Sequence, residues 1–443
     1  MATQSVWTSR LGFILASASS AVGLGAIWKF PFWAGTNGGA AFIIPFLLFT
    51  FTIGIVLVMA EFAIGRAGRG SAVAALKNVG GKWYGLFGGL AVFNAYIILS
   101  YYSVVGGWCV AYLVDAIGFN VVASDAQVLT AHFTNLIADG SGNVLYMFLF
   151  LTMTAAVVAM GVEKGIENIA KFLMPLLFLL MLFIIVRCLM MPGAMQGLKF
   201  MFSFHWDQVT TESILNAMGF TFFSLSLGCA ILVTYGSYLT DSTDIPGSSM
   251  WVAVLATQAA LLGGMMILPA VFAFGMDPAA GPSLVFLTIP RVFSQMPMGE
   301  FLAIAFYLCL GIAAITSSVS LFEGVVAYLI NSWHLTRHAA SSLCWGSLFI
   351  FGSVQALSFG PWSDVKIAGM GIFDFTDYIC TNVFMPIGGL SIAFLAGWAA
   401  WPRIRGELVR SVNHSPVLLK MIRFSIAVLA PLLVGVVLWS GLR

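Results

Sequence analysis

Ser17-Ala18-Ser19-Ser20-Ala21-Val22-Gly23-Leu24-Gly25 lies in the middle of an apolar run, residues 11 to 34, that would otherwise read as one unbroken membrane helix. Small hydroxyl residues and two glycines weaken a helix where lipid offers no partner to freed amides and carbonyls. Ser224-Leu225-Ser226-Leu227-Gly228-Cys229 does the same inside another apolar run, 213 to 239. Close helix packing through small residues explains either stretch alone. The two runs, however, are the first and the sixth of eleven. If five helices are followed by five inverted ones, both breaks fall at matching positions, the sequence pointer to a solute site at the bilayer midplane.

The remaining runs lie near 40 to 65, 85 to 117, 144 to 161, 168 to 191, 249 to 274, 299 to 333, 339 to 358, 367 to 401 and 416 to 441. They account for a chain of 443 residues that is 60% hydrophobic and 8% charged, with a mean hydropathy of +1.00. A soluble domain carries about a quarter charged residues, and a spanning helix needs ~20 apolar ones. An ordinary water-soluble enzyme is excluded. The longest polar loop, 118 to 143, has no Lys or Arg and is too short for a nucleotide-hydrolysing domain, which excludes a single-chain ATP-driven pump. The first run exceeds a signal h-region and lacks a cleavage pattern, so it is read as a retained span.

With the amino terminus in the cytoplasm, thirteen of the 19 basic residues fall inside: Arg10, Arg66, Arg69, Lys77, Lys82, Lys164, Lys171, Arg337, Arg403, Arg405, Arg410, Lys420 and Arg423. Lys29, Arg187, Lys199, Arg291, Lys366 and Arg443 lie outside or in outer half-helices. The positive-inside rule then predicts a multi-pass protein of the plasma (inner) membrane with its carboxyl terminus outside. No basic run suggests nucleic acid; the partners implied are a small solute and the lipid bilayer.

Lys29, Glu61, Glu323, Asp374 and Asp377 fall within the runs. An intramembrane charge is costly unless it faces a cavity or a partner. Snorkelling suits Lys29 and Asp377; for Glu61 and Glu323 structural pairing is favoured over a direct role in solute binding. His132, His205, His334, His338 and His414 are scattered without metal-ligand spacing, and His205-Trp206-Asp207 reads as loop packing. All six cysteines (Cys109, Cys188, Cys229, Cys309, Cys344 and Cys380) fall in spans without a CxxC pair. Gly161 and Gly165 form a lone GxxxG.

Several stretches carry a family resemblance. Arg10-Leu11-Gly12-Phe13-Ile14-Leu15, Ser20 to Gly25, Lys29-Phe30-Pro31 and Asn37-Gly38-Gly39-Ala40-Ala41-Phe42 resemble the first helix and loop of the neurotransmitter:sodium symporter family. Glu61 to Arg66 (EFAIGR), Lys164-Gly165-Ile166-Glu167, Phe223 to Gly228 (FSLSLG), Thr316-Ser317-Ser318 and Phe373-Asp374 extend the resemblance over essentially the whole chain. It implies an all-α polytopic protein with the inverted-repeat (5+5) fold of the bacterial leucine transporter and about 11 transmembrane helices. Residues 1–191 and 192–401 would form the two repeats, and 402–443 a cytoplasmic loop and helix eleven.

Carried over residue by residue, the resemblance implies a solute pocket of Ser20, Ala21, Leu24, Gly25, Ile98, Tyr102, Phe223, Ser224, Ser226, Cys229, Ser317 and Leu321. Carbonyls near Ala21 and Phe223, with the Ser226 hydroxyl, suit an ammonium; the Gly25 amide and Tyr102 phenol suit a carboxylate, helped by the positive end of a half-helix. Gly23 stands where monoamine carriers have an aspartate, which favours an amino acid or related zwitterion.

A sodium site is implied at the carbonyls of Ser19, Val22 and Ala313 and the hydroxyls of Thr316 and Ser317. The family's other sodium site is depleted: Ala26 and Leu255 replace two asparagines, and Ser224 a threonine. Ala259 and Phe220 stand at positions linked to chloride in relatives, so no chloride is expected. The outer gate is expected as Lys29 opposite Asp374, above Tyr102 and Phe223. At the inner gate Gln4, ahead of Trp7, and Asn331 replace the family's charged pair, and Tyr238 holds the gating-tyrosine position.

The function expected is a sodium-coupled symporter importing a small amino acid or related carboxylate by alternating access, with one sodium per cycle. An uncoupled or proton-coupled facilitator or channel, or a transporter-like sensor, is the alternative on the same scaffold.

Overall fold

The computed structural model describes residues 6–276, 284–412 and 414–442. Gln4 lies outside the described residues. Ser9 caps the first helix, α1 (Arg10–Ala21), by accepting from the Gly12 N–H. That helix ends at Val22, whose φ of −91° and ψ of 67° leave the helical region. The chain resumes as α2 (Gly25–Thr36), bent by 52° from α1. The break falls in the serine- and glycine-rich stretch that weakens helix propensity.

Next come α3 (Ala40–Gly68), the short α4 (Ala72–Gly80), the long α5 (Lys82–Ile117), α6 (Ala126–Ala138) in the polar loop, α7 (Gly140–Ala159) and α8 (Val162–Leu189). A surface helix, α9 (Ala194–Phe202), precedes the second interruption. The run expected at 213 to 239 is two helices, α10 (Thr211–Ser224) and α11 (Ile231–Ser237), separated by a non-helical joint. Ser226, Gly228 and Ala230 in that joint all have positive φ. A Cβ on Gly228 would lie 2.5 Å from the Met385 carbonyl oxygen, so only glycine allows the joint to lie this close to neighbouring backbone.

The chain continues with α12 (Ile245–Ala273), α13 (Ile289–Ser294) and α14 (Gly299–Trp333). Then follow α15 (Arg337–Leu357), a two-residue antiparallel pair β1 (Lys366–Ile367) and β2 (Met370–Gly371), α16 (Ile372–Ala399), α17 (Trp401–Leu408) and α18 (Pro416–Gly441). Among the described residues nine helices are long and apolar enough to cross a membrane, and the bent α1–α2 pair makes a tenth. The divided α10 and α11 bring the number of candidate spans to eleven.

The core gathers around the two breaks. α1 packs on α8, α12 and α14, while α5 lies along α14. α11 meets α3 backbone to backbone: a Cβ on Gly65 would sit 2.1 Å from the Val233 oxygen, and one on Gly236 would sit 2.6 Å from that of Phe62. Arginines tie the loops together at one end of the bundle. Buried Arg66 donates through Nε to Glu407 at 2.6 Å and through Nη2 to the Glu407 carbonyl, while Nη1 reaches the Thr243 oxygen at 2.6 Å. Arg403 caps the carbonyls of Asn78 and Ala67, and Arg10 pairs with Asp244.

Candidate functional site

The half-helix end at Val22 and the joint after Ser224 meet in the protein interior. Helix ends leave carbonyls without intrahelical partners, and the Ser20 carbonyl is used twice. Ser226 Oγ of the joint donates to it at 2.9 Å, and Ser317 Oγ of α14 at 3.2 Å. The Leu24 N–H donates to Tyr102 Oη at 3.2 Å, and a phenol that accepts there can still donate its own proton. Ala21, Leu24, Ile98, Tyr102, Ser224, Ser226, Cys229, Ser317 and Leu321 are all buried, and Phe223 is half-buried.

Of the expected pocket residues, these contacts bring together Ser20, Leu24, Tyr102, Ser226 and Ser317, while Ser224 bonds the Thr221 carbonyl and Cys229 meets Asn94. A Cβ on Gly23 would lie 2.9 Å from both Tyr102 Oη and Ser317 Oγ, so no acidic side chain fits there in this arrangement. A Cβ on Gly25 would lie 2.4 Å from Phe223 Cε1, which places that ring directly over the second half-helix.

The oxygens expected to hold sodium are buried where α1 ends against α14. Val22 and Ala313 are fully buried and Ser19 and Thr316 nearly so. Thr316 Oγ1 lies 3.2 Å from the Ala313 oxygen, which brings two of the five together, and its neighbour Ser317 faces the break. Carbonyl and hydroxyl oxygens without a carboxylate suit a hard monovalent cation. At the depleted position Ala26 packs its carbonyl against Gly263 of α12, Ser224 Oγ donates to the Thr221 carbonyl at 3.2 Å, and Leu255 is half-buried hydrocarbon.

The outer gate requires a correction. Lys29 Nζ pairs with Asp377 Oδ1 at 3.5 Å and lies 4.1 Å above the Phe223 ring centroid. Asp374, the expected partner, lies one turn nearer the start of α16 and is exposed. Three residues make nearly one helical turn, so Asp377 shares that face but sits deeper, within reach of Lys29.

The sequence profile of the sodium:neurotransmitter symporter family matches residues 4–128 and 124–442. The chain belongs to that family. It is 40% identical over 392 residues to the uncharacterized sodium-dependent transporter YhdH of Bacillus subtilis strain 168, covering 87% of this chain and 86% of that one. An uncharacterized sodium-dependent transporter of Haemophilus influenzae is 33% identical over 414 residues, 91% of each chain. The crystal structure of MhsT in complex with L-phenylalanine superposes with a TM-score of 0.91 at 38% identity, covering 99% of this chain and all of that one. The family is one of transporters, and this member has its all-α polytopic fold.

At the other end of the bundle the symporter chain is held by charged as well as neutral groups. Trp7 donates from its backbone to the Tyr238 carbonyl at 3.2 Å and from Nε1 to that of Tyr235 at 3.0 Å. Tyr238 Oη donates to Glu323 Oε1 at 2.6 Å, and Arg337 grips both oxygens of that carboxylate at 2.7 and 3.0 Å. The structural pairing expected of Glu323 is therefore present. Asn331, expected in a neutral gate, is exposed and accepts from Ser71 Oγ at 3.4 Å.

Glu167, quoted above only as part of a motif, is a clamp. It accepts from Thr8 N, Thr8 Oγ1 and Ser9 Oγ at 2.6–2.9 Å and pairs with Lys171 at 2.7 Å. The signal was a lone acid in the KGIE motif, but its partners are about 160 residues away in sequence. Glu61 accepts from the Gly228 N–H at 2.8 Å and pairs with no cation among the described residues.

Proposed function

We propose that this symporter couples the inward movement of sodium to uptake of a small amino acid by alternating access. The observation that supports this best is the shared Ser20 carbonyl: one broken-helix oxygen is bound by the joint through Ser226 and by α14 through Ser317. In this reading Ser226 at the solute and Ser317 at the sodium are joined through that one carbonyl, so binding either one shapes the site of the other.

In this reading the solute carboxylate takes the Tyr102 proton and the Gly25 amide, and its ammonium faces the Ala21 and Phe223 carbonyls and Ser226. Sodium takes the carbonyls of Ser19, Val22 and Ala313 with the hydroxyls of Thr316 and Ser317. One ion moves per cycle, because Ala26 and Leu255 offer no side-chain oxygen, and chloride has no role at Ala259 or Phe220. The L-phenylalanine bound by MhsT makes aromatic amino acids the first solutes to test.

The two inverted repeats are 1–191 and 192–401, with 402–443 forming a loop and the last helix. The chain lies in the plasma (inner) membrane with the arginine-tied end in the cytoplasm and its carboxyl terminus outside.

Purified protein reconstituted in vesicles with an inward sodium gradient is expected to accumulate a labelled amino acid. Accumulation must collapse when the gradient is removed. Equilibration without concentration would favour a facilitator, and binding without uptake a sensor.

A further inference from the structure

Glu61 stands apart from the other buried carboxylates among the described residues. Glu167 has Lys171 at 2.7 Å, Glu323 has Arg337 at 2.7 Å, and Glu407 has Arg66 at 2.6 Å. Glu61, in the last third of α3, is 1% exposed and has no such cation among the described residues. Its Oε1 accepts the N–H of Gly228, the positive-φ residue of the joint, and its Oε2 has no hydrogen-bond partner.

The groups around it are neutral. Cys229 lies on the joint and Asn94 on α5, where its amide reaches the Cys229 sulfur at 3.8 Å; α16 contributes Ser391. Arg66, further along α3, spends its donors on Glu407, Thr240 and Thr243. Lys77 of α4 and Lys82 of α5 are exposed at the arginine-tied end. A narrow cleft between α3, α4, α5, the joint and α16 reaches Glu61, passing Leu76, Ala91 and the exposed Phe87.

An isolated carboxylate in such surroundings costs far more than its protonated form, and one amide does not replace a cation. We propose that Glu61 is a proton-binding site of the joint. The neutral acid fits the sealed arrangement, holding its proton on the carboxyl oxygen. When the joint opens and water enters, the O–H bond breaks and the proton passes to water. Proton binding and the conformation of the broken helix are thereby linked in both directions. In transport terms this deepens the alternating-access reading and rests on it; the protonation state itself does not.

Infrared spectroscopy of the full-length purified protein at neutral pH tests the site without any solute. The carbonyl stretch of a neutral carboxylic acid is expected in the native protein and lost in Glu61→Gln. Identical spectra in that region would overturn the proposal. In vesicles with an inward sodium gradient and L-phenylalanine as probe, native uptake should vary with pH, and Glu61→Gln, locked in the neutral form, should lose that variation. A uniform fall in uptake with an unchanged pH profile would mark Glu61 as a mere cap and contradict the proposal. If Glu61→Gln does not fold, Glu61→Asp should shift the pH profile, and an unshifted profile counts against it. Should L-phenylalanine not be transported at all, the functional reading of the solute fails while the infrared result still decides on Glu61.

Discussion

Lys29 and Asp377 form an ion pair at 3.5 Å directly above the Phe223 ring, with the lysine ammonium 4.1 Å from the ring centroid. Phe223 in turn covers Gly25, so one lysine links the outer charge pair to the ring proposed to close the solute pocket. Both charged side chains are about one-third exposed, at 28% and 34%. Solvent screening holds the pair itself to about 1 kcal/mol or less. Its value lies in where it holds the ring.

A double-mutant cycle of Lys29→Gln with Asp377→Asn should show coupling of about 0.5–1 kcal/mol in apparent solute affinity, and the cycle with Asp374→Asn should show none. Coupling to Asp374 with none to Asp377 would reassign the gate.

At the opposite end, Arg337→Met strips the buried Glu323 carboxylate of its cation. Thermal unfolding in detergent should register a loss of about 3–5 kcal/mol, and adding Glu323→Gln should recover much of it. Equal stability of the single and double variants would mean that Tyr238 alone satisfies the carboxylate.

Within the pocket, Tyr102→Phe keeps the ring but removes the donor. Equilibrium binding of the transported amino acid should weaken by about 1–3 kcal/mol. Unchanged affinity would remove Tyr102 from the site. Cys229 is small and buried beside the joint, so Cys229→Phe should exclude bulky solutes before small ones. Equal losses for both would move the pocket wall elsewhere.

Both helix breaks were legible because their cause is local. Serines and glycines in an apolar run lower helix propensity at the very residues where the chain turns, Val22 to Leu24 and Leu225 to Ala230. Ser226 of the joint was legible for the same reason, whereas Ser317 of α14 came only from the family resemblance. The choice between Asp374 and Asp377 was not: both lie near one face of α16, and only the tertiary depth of each turn tells which one meets Lys29. Arg66 with Glu407 and Glu167 with Thr8 were invisible because chain separations of 341 and 159 residues leave no periodic trace. Glu61 showed as an intramembrane acid, but its missing cation is a property of the packed surroundings, where the pairing expected from sequence is replaced by a single backbone amide.

Sodium coupling is proposed to run through one site built on Thr316 and Ser317. Replacing both by alanine should abolish sodium dependence, and the sodium Hill coefficient of native uptake should lie near one. The most direct measurement is the reversal potential of solute flux in vesicles with calibrated sodium and solute gradients. Each translocated charge contributes ~2.3 kcal/mol per 100 mV, so the number of ions can be read from the gradient that stops net flux. One sodium per solute is the expected value. A value of two would show that oxygens other than those missing at Ala26 and Leu255 rebuild a second site, and would contradict coupling through a single ion.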